Sequence, residues 1–413
     1  MVILSILFAT ACTPVANPAK LESATITPTV AATETANSSP TLTLEPAPTG
    51  MPTPIPPTAT SSSSSIPVVT DRILHWQEQA APEKLMRFAF DGEWLVALVG
   101  GEVVNDSPRY SLVARRQNGT QDSPYEHVFD FPERKTASKY ESGSGLLVAG
   151  GRVAVVSAPS GGDSALGYEV YLIDLEGKTT KLLKKSELAY PAIALSERWL
   201  VLLDSSSELS GGEWCLEAYA LPDGPFQKIT CTEGRIQWPV LNGDLLTYKW
   251  IEPGQECGVV RSQDLATGEE TTNQPETCQI GISIYSSKAI TAWYEVSQSG
   301  LVLLGGMDSQ AGRFSLDILP ENSMVQVCGG SIYHQAKSQG VIELRSYHPG
   351  GTDDVLFRYR LKDQNLPAAT ESDSQINALP EYGWIDFACG NGWLAVYAGK
   401  SFLIAKDDQQ AGP

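Results

Sequence analysis

Residues 190–204, YPAIALSERWLVLLD, read as two short strands joined by a tight polar turn at Ser196, Glu197 and Arg198. Trp199 opens a second strand that is apolar at nearly every position, so both of its faces must be buried. Variants of the unit recur along the chain. They are FAFDGEWLVALVG from Phe88, LLVAGGRVAVVSA from Leu146, PVLNGDLLTYKW from Pro239, ISIYSSKAITAWYE from Ile282, SIYHQAKSQGVIELR from Ser331 and IDFACGNGWLAVYAG from Ile385. The second strands start near Trp94, Val153, Trp199, Leu245, Ile290, Ile342 and Trp393, a period of 45 or 46 residues in the middle and 51 to 59 elsewhere. A repeat of this size made only of β-patterned units is the sequence sign of a β-propeller. The expected fold is all-β: a single propeller of seven four-stranded blades, with six or eight as the alternatives.

Each hairpin is followed by a loop rich in Gly, Ser and Asp and then, in most repeats, by another strand pair. YEVYLIDLEGKTTKLL from Tyr168, WCLEAYALPDGPFQKITC from Trp214 and CGVVRSQDLATGEETT from Cys257 are examples. This order of strand, Asp-Leu, Gly-containing turn and Thr-rich strand resembles the repeats of TolB-like and other bacterial propellers; the likeness implies a fold and no particular activity. No segment carries a sustained helical period, and residues 78–87 are one or two turns at most. The last blade supplies only three strands, ending at residues 401–405. The lone strand-like piece at residues 68–76 is therefore expected to complete it, closing the ring and removing its open edge. In the fifth blade, residues 301–305 read either as the third strand or as an insertion.

Ahead of the folded part, residues 1–12 are MVILSILFATAC, an apolar run ending in small residues and Cys12. The run resembles a bacterial lipoprotein signal with its lipobox, which implies a lipid on Cys12 and an extracytoplasmic, membrane-anchored location. Residues 13–67 are Pro, Thr, Ser and Ala with only Lys20, Glu22, Glu34 and Glu45 charged. Too little apolar surface is available there for a packed core, so this segment reads as a disordered tether, reaching roughly 40 Å as a flexible coil. Residues 68–413 are the propeller. The net charge of the chain is −19, which repels phosphate backbones and argues against nucleic acid as a partner.

The cysteines test the register. Cys215 and Cys231 are each eight residues from Asp223 at the centre of one turn, and Cys257 and Cys278 are symmetric about Thr267-Gly268. Residues equidistant from a turn face each other, so each pair is expected to form a cross-strand disulfide, which implies an oxidising compartment. Cys328 and Cys389 each end an innermost strand, in the sixth and seventh blades; a bond between those blades and two buried thiols are the open readings. The histidines are scattered without a ligand period, so no metal centre is expected.

No nucleophile elbow, phosphate loop, dinucleotide fingerprint or zinc-protease motif is present, and neither catalytic residues nor a cofactor are assigned. The feature singled out is acidic. In a propeller the loops joining second to third strands gather on one face, and those assigned here carry Glu102, Asp106, Asp163, Asp204, Glu208, Glu213, Glu252, Glu256, Asp308, Asp353 and Asp354. Such a rim suits calcium or a basic partner at the channel mouth, against the plainer reading that an acidic domain carries carboxylates in every exposed loop. Trp94, Trp199 and Trp393 hold equivalent repeat positions and read as blade-packing residues. The functional expectation is a non-catalytic binding module for a protein, peptide or glycan; the alternative is a hydrolase or lyase acting on carbohydrate or peptide at the channel mouth.

Overall fold

In a computed structural model of the chain, the described residues are 69–104, 107–117, 124–133, 135–137, 145–159, 167–186, 192–204, 213–255, 257–273, 284–296, 302–316, 324–338, 341–360 and 386–408. They form seven antiparallel meanders and, among the described residues, no α-helix. The meander built around residues 190–204 pairs Ala192–Leu195, Trp199–Asp204, Trp214–Ala220 and Phe226–Thr232 in that order and is blade three. Its second strand shows why the sequence is apolar on both sides. Leu200 and Leu202 pack into the cluster shared with blade two, while Val201 and Leu203 pack into the cluster shared with blade four. Alternate side chains on a strand point to opposite faces, so a strand covered by a blade on each side loses its polar alternates.

The same logic runs round the ring. Seven apolar clusters each join two consecutive blades, the last joining Ala395, Phe402 and Ile404 of blade seven to Phe90 and Leu95 of blade one. The ring is therefore a closed seven-bladed β-propeller. Trp94, Trp199 and Trp393 pack into these interfaces. At the seven–one junction the first turns of the two blades meet backbone to backbone: Gly92, at φ +94°, has no room for a Cβ beside the carbonyl of Gly390, so a residue other than glycine is excluded there.

Three turn-level acceptors repeat in the first hairpins. Asp91 Oδ1 accepts the N–H groups of Glu93 and Trp94, Ser196 Oγ those of Arg198 and Trp199, and Ser287 Oγ that of Ile290. The tight turn is thus coded by a short polar side chain three residues ahead of the buried strand.

The structure corrects the expectation in four places. The strand completing blade seven is Gln77–Ala80, paired antiparallel with Ser401–Lys406, rather than residues 68–76. Residues Val69–Asp71 instead lie parallel to Asp353–Arg360 on the outer edge of blade six. Within residues 78–87, positions 78–80 and 85–87 are strand and no helical turn forms, since the stretch contains part of Gln77–Ala80 and of Leu85–Phe90. The inner hairpin of blade six is Val325–Cys328 with Ser331–Ser338; the strand Val341–Tyr347, taken as second from its VIELR pattern, is third. In blade five the third strand is Val302–Asp308. Blade two has an additional short strand, Lys135–Ala137, on its Arg152–Pro159 strand.

Candidate functional site

In each meander the turns joining first to second and third to fourth strands lie at one end, and the connections from second to third lie at the other. Asp204 ends the second strand of blade three opposite Cys215, which puts it at the second end, where the acidic rim is expected. Glu213 and Glu252 are exposed near the same end. Asp106, Asp163, Glu208 and Glu256 lie outside the described residues, as does Cys278. Glu213 sits with Cys215 and Cys231 in a compact trio of ligand-type atoms, but the two sulfurs are bonded to each other, which removes them as metal ligands.

Three members of the rim belong elsewhere. Asp308 ends the third strand of blade five opposite Ile290, at the other end of the blade, and its Oδ1 accepts the N–H groups of Gln310 and Ala311. Asp174 and Asp264 hold the same position in blades two and four and cap the same turn. Asp308 is thus a turn residue of the repeat. Asp353 and Asp354 begin the fourth strand of blade six and are 4% and 5% exposed. Only a count that makes Val341–Tyr347 the second strand puts them on a solvent rim, and that strand is the third. In fact they are the centre of a buried charged network.

That network brings several chemically capable side chains together. His334 Nε2 lies 2.8 Å from Asp353 Oδ1, and Arg345 Nη1 donates to Asp353 Oδ2 at 3.0 Å. Arg345 also donates to Glu343, which accepts from Arg358 Nε at 2.9 Å; Arg358 Nη2 reaches Asp71 Oδ1 at 2.6 Å. On the N-terminal side the Thr70 hydroxyl donates to Asp354 Oδ1, and Arg72 Nη2 lies 2.5 Å from Asp407 Oδ2, which also accepts from the Tyr333 hydroxyl at 2.6 Å. Antiparallel register explains the assembly. His334 faces Arg345 and Glu343 faces Arg358, so alternating charged residues on three strands fall on one side of the blade.

The electrostatics are those of paired charges. Burial pushes the Asp353 carboxyl up, but the hydrogen bonds and charges of His334 and Arg345 outweigh it and hold the group below the usual carboxylate range. For Arg345, the partners Glu343 and Asp353 more than offset burial and hold the guanidinium in its charged form. His334 Nδ1 is buried without a hydrogen-bond partner. The arrangement can bind and align an N-terminal strand. With His334 and Asp353 both closed off from solvent, it is not laid out to meet a diffusing substrate.

A second cluster lies on blade two. Glu169 accepts from Lys185 at 2.8 Å, from the Tyr171 hydroxyl at 2.8 Å and pairs with buried Lys135 at 3.2 Å. Burial raises the Glu169 carboxyl, and these three partners together pull it below its ordinary value. The cluster fastens the additional strand Lys135–Ala137 to the blade.

The disulfides complete the site. Cys215 and Cys231 are register partners and are bonded, with Cα atoms 4.2 Å apart. Cys328 and Cys389 are bonded across the innermost strands of blades six and seven, 61 residues apart in sequence. Gln326 reinforces that junction, donating to the carbonyl of Phe387 at 2.8 Å and accepting from the N–H of Cys389 at 3.2 Å. Cys257 is disulfide-bonded as well.

Sequence reasoning missed His334, Arg345, Glu343, Arg358, Arg72, Tyr333 and Asp407. The signal available was the alternation of Glu343 and Arg345 within one strand; the partners on other strands are too far away in sequence to be read from it.

No protein-family model matches the chain, and no curated protein sequence matches it. Among solved structures, a prolyl endopeptidase aligns with TM-score 0.52 and 12% identity over 82% of this chain and 48% of that one. The chain thus spans about half the length of that enzyme. The β-propeller domain of the Trilobed protease from Pyrococcus furiosus aligns with TM-score 0.47 and 11% identity over 77% of this chain and 96% of that one. TolB from Acinetobacter baumannii aligns with TM-score 0.40 and 13% identity over 76% and 80%. At such identities the likeness to the prolyl endopeptidase is one of fold.

Proposed function

We propose that the chain is a lipid-anchored, extracytoplasmic β-propeller that binds a protein, peptide or glycan without converting it. The observation that carries the reading is the way the ring is locked at blades six and seven. The N-terminal segment pairs with both blades, Arg72 is joined to Asp407, and the Cys328–Cys389 bond ties the innermost strands together. Groups that could do acid–base work converge there and are spent on closure. A ring fastened at the junction of its last two blades suits recognition, because little ordering of the strands remains to be done on binding. Disulfides support an oxidising compartment. The apolar run ending at Cys12 and the Pro/Thr/Ser segment after it support an anchor and spacer that hold the ring away from a membrane.

The test places photo-reactive residues at Glu213 and Glu252, exposed near one end of blades three and four, in the full chain on intact cells. A discrete cross-linked protein or glycan that is recovered unaltered is the expected result. Recovery of a cleaved partner would replace the binding reading with a hydrolase or lyase, and the absence of any cross-link dependent on these positions would remove this face as a binding surface.

A further inference from the structure

Blade six has one strand more than the repeat requires. Val325–Cys328, Ser331–Ser338, Val341–Tyr347 and Asp353–Arg360 already make the four-stranded meander of the repeat. Val69–Asp71 is added outside them, in the one parallel pairing among the described strands, with Thr70 opposite Asp354 and Asp71 opposite Val355. All three of its residues are exposed. A short, solvated, parallel strand is a weak occupant of a sheet edge, and an edge with free N–H and C=O groups is a template for any extended peptide.

The edge is also selective. Behind it lie Asp354, 5% exposed, and Asp407, 1% exposed. The occupant serves both: the Thr70 hydroxyl donates to Asp354, and the Arg72 guanidinium lies 2.5 Å from Asp407 and 3.9 Å from Asp354. At its rim Arg358 takes the Asp71 carboxylate at 2.6 Å. A strand without a cation at the third of these positions leaves buried carboxylates without that charge, which is strongly unfavourable. Residues 13–67 contain a single basic residue, Lys20. No shifted register of that segment can therefore offer a guanidinium.

We propose that the outer edge of Asp353–Arg360 is a strand-accepting recognition site that Val69–Arg72 fills in cis, and that its trans ligand is an extended peptide presenting a hydroxyl, a carboxylate and a guanidinium at three consecutive positions. This rests on the binding-module reading and names the edge and the partner class. Such a peptide displaces the native strand and repeats its contacts, hydroxyl to Asp354, carboxylate to Arg358, guanidinium to Asp407. The outward faces of Val69 and Asp71 leave room for the rest of the partner to contact the blade.

The experiment uses the full chain carrying Thr70→Ala and Arg72→Ala, which leaves every receiving side chain in place, and a synthetic peptide with the sequence of residues 69–74, VTDRIL. Expected are binding about tenfold or more tighter to the variant than to the unaltered chain, a rise in the melting temperature of the variant on adding peptide, and loss of both with the peptide in which Ala replaces the Arg. Should the variant not fold, hydrogen exchange on the unaltered chain decides: excess peptide must accelerate exchange of the Thr70–Arg72 amides while those of Gln77–Ala80 stay protected. No binding to a folded variant, or no change in exchange, overturns the proposal. Rescue by a second full chain and not by peptide would assign the edge to strand exchange between copies and also overturn it. A partner cross-linked at the other end of the blades, and indifferent to Thr70→Ala and Arg72→Ala, would overturn this edge while leaving the binding function standing.

Discussion

Arg72 places Nη2 2.5 Å from Oδ2 of Asp407, a residue 335 positions later, and the Asp407 side chain is 1% exposed. The pair ties the segment that enters the propeller to the segment that ends it. Tyr333 donates to the same carboxylate oxygen, so one buried acid holds the N-terminal strand, blade six and the end of blade seven at a single point. Removing the cation strands that acid in a low-dielectric site.

Arg72→Ala is therefore expected to cost about 3–5 kcal/mol, the penalty for leaving a buried charge without its partner. Urea denaturation followed by tryptophan fluorescence measures it. Tyr333→Phe, which keeps the ion pair and removes one hydrogen bond, should cost about 0.5–1.5 kcal/mol. Equal losses in the two variants would mean that the ion pair does not close the ring.

Asp353 makes stability depend on acidity. Its folded carboxyl is held below the usual range despite burial, by His334 and Arg345. A group with a depressed folded pKa contributes stability that is complete above its unfolded value, about 3.9, and is lost as the pH falls through the folded value. Urea midpoints measured along a pH series should hold steady above the unfolded value and fall below it. Asp353→Asn should lower the neutral plateau and flatten that acid limb; an unchanged limb would show that other carboxylates set it.

The Cys215–Cys231 and Cys328–Cys389 disulfides should differ in worth. Loop-closure entropy assigns about 3 kcal/mol to Cys215–Cys231 and about 4 kcal/mol to Cys328–Cys389, whose sequence separations are 16 and 61 residues. Paired Cys→Ser substitutions compared by chemical denaturation test the order. Removing the Cys328–Cys389 bond should also speed proteolysis at blades six and seven, because that bond spans an interface between blades rather than a single hairpin.

Asp308 separates turn from rim. As the acceptor for Gln310 and Ala311, it should lose about 0.5–1.5 kcal/mol on substitution by Ala, with no change in the heat of calcium titration. A calcium-dependent rise in melting temperature that disappears in Asp308→Ala would restore it to a ligand-binding face.

The propeller was legible because its second strands are squeezed between blades. Leu200 and Leu202 face one neighbour, Val201 and Leu203 the other, and that double burial writes an unbroken apolar run at a steady spacing. The Cys215–Cys231 register was legible because both residues lie on one hairpin around one turn. The closing strand was not. Gln77–Ala80 reads QEQA, and its membership in blade seven comes from main-chain pairing with Ser401–Lys406 rather than from β-forming side chains. Residues 68–76 are richer in apolar residues, so pattern alone chose the wrong piece. Blade six was misread because Ser331–Ser338 and Val341–Tyr347 do form a hairpin, but the next one outward; the true inner turn is the Gly329-Gly330 pair. Asp353 and Asp354 followed that shift onto a rim they do not occupy. The charged network itself is a product of register across strands, and no single stretch of sequence displays it.

The most direct test of an exported, anchored and locked propeller is the intact mass of the protein purified from its own membranes, with thiols alkylated before and after reduction. Expected are a lipid adduct on Cys12 and six remaining cysteines that become alkylated only after reduction. An unmodified Cys12 with six freely alkylated thiols would contradict the anchor, the compartment and the Cys328–Cys389 lock together.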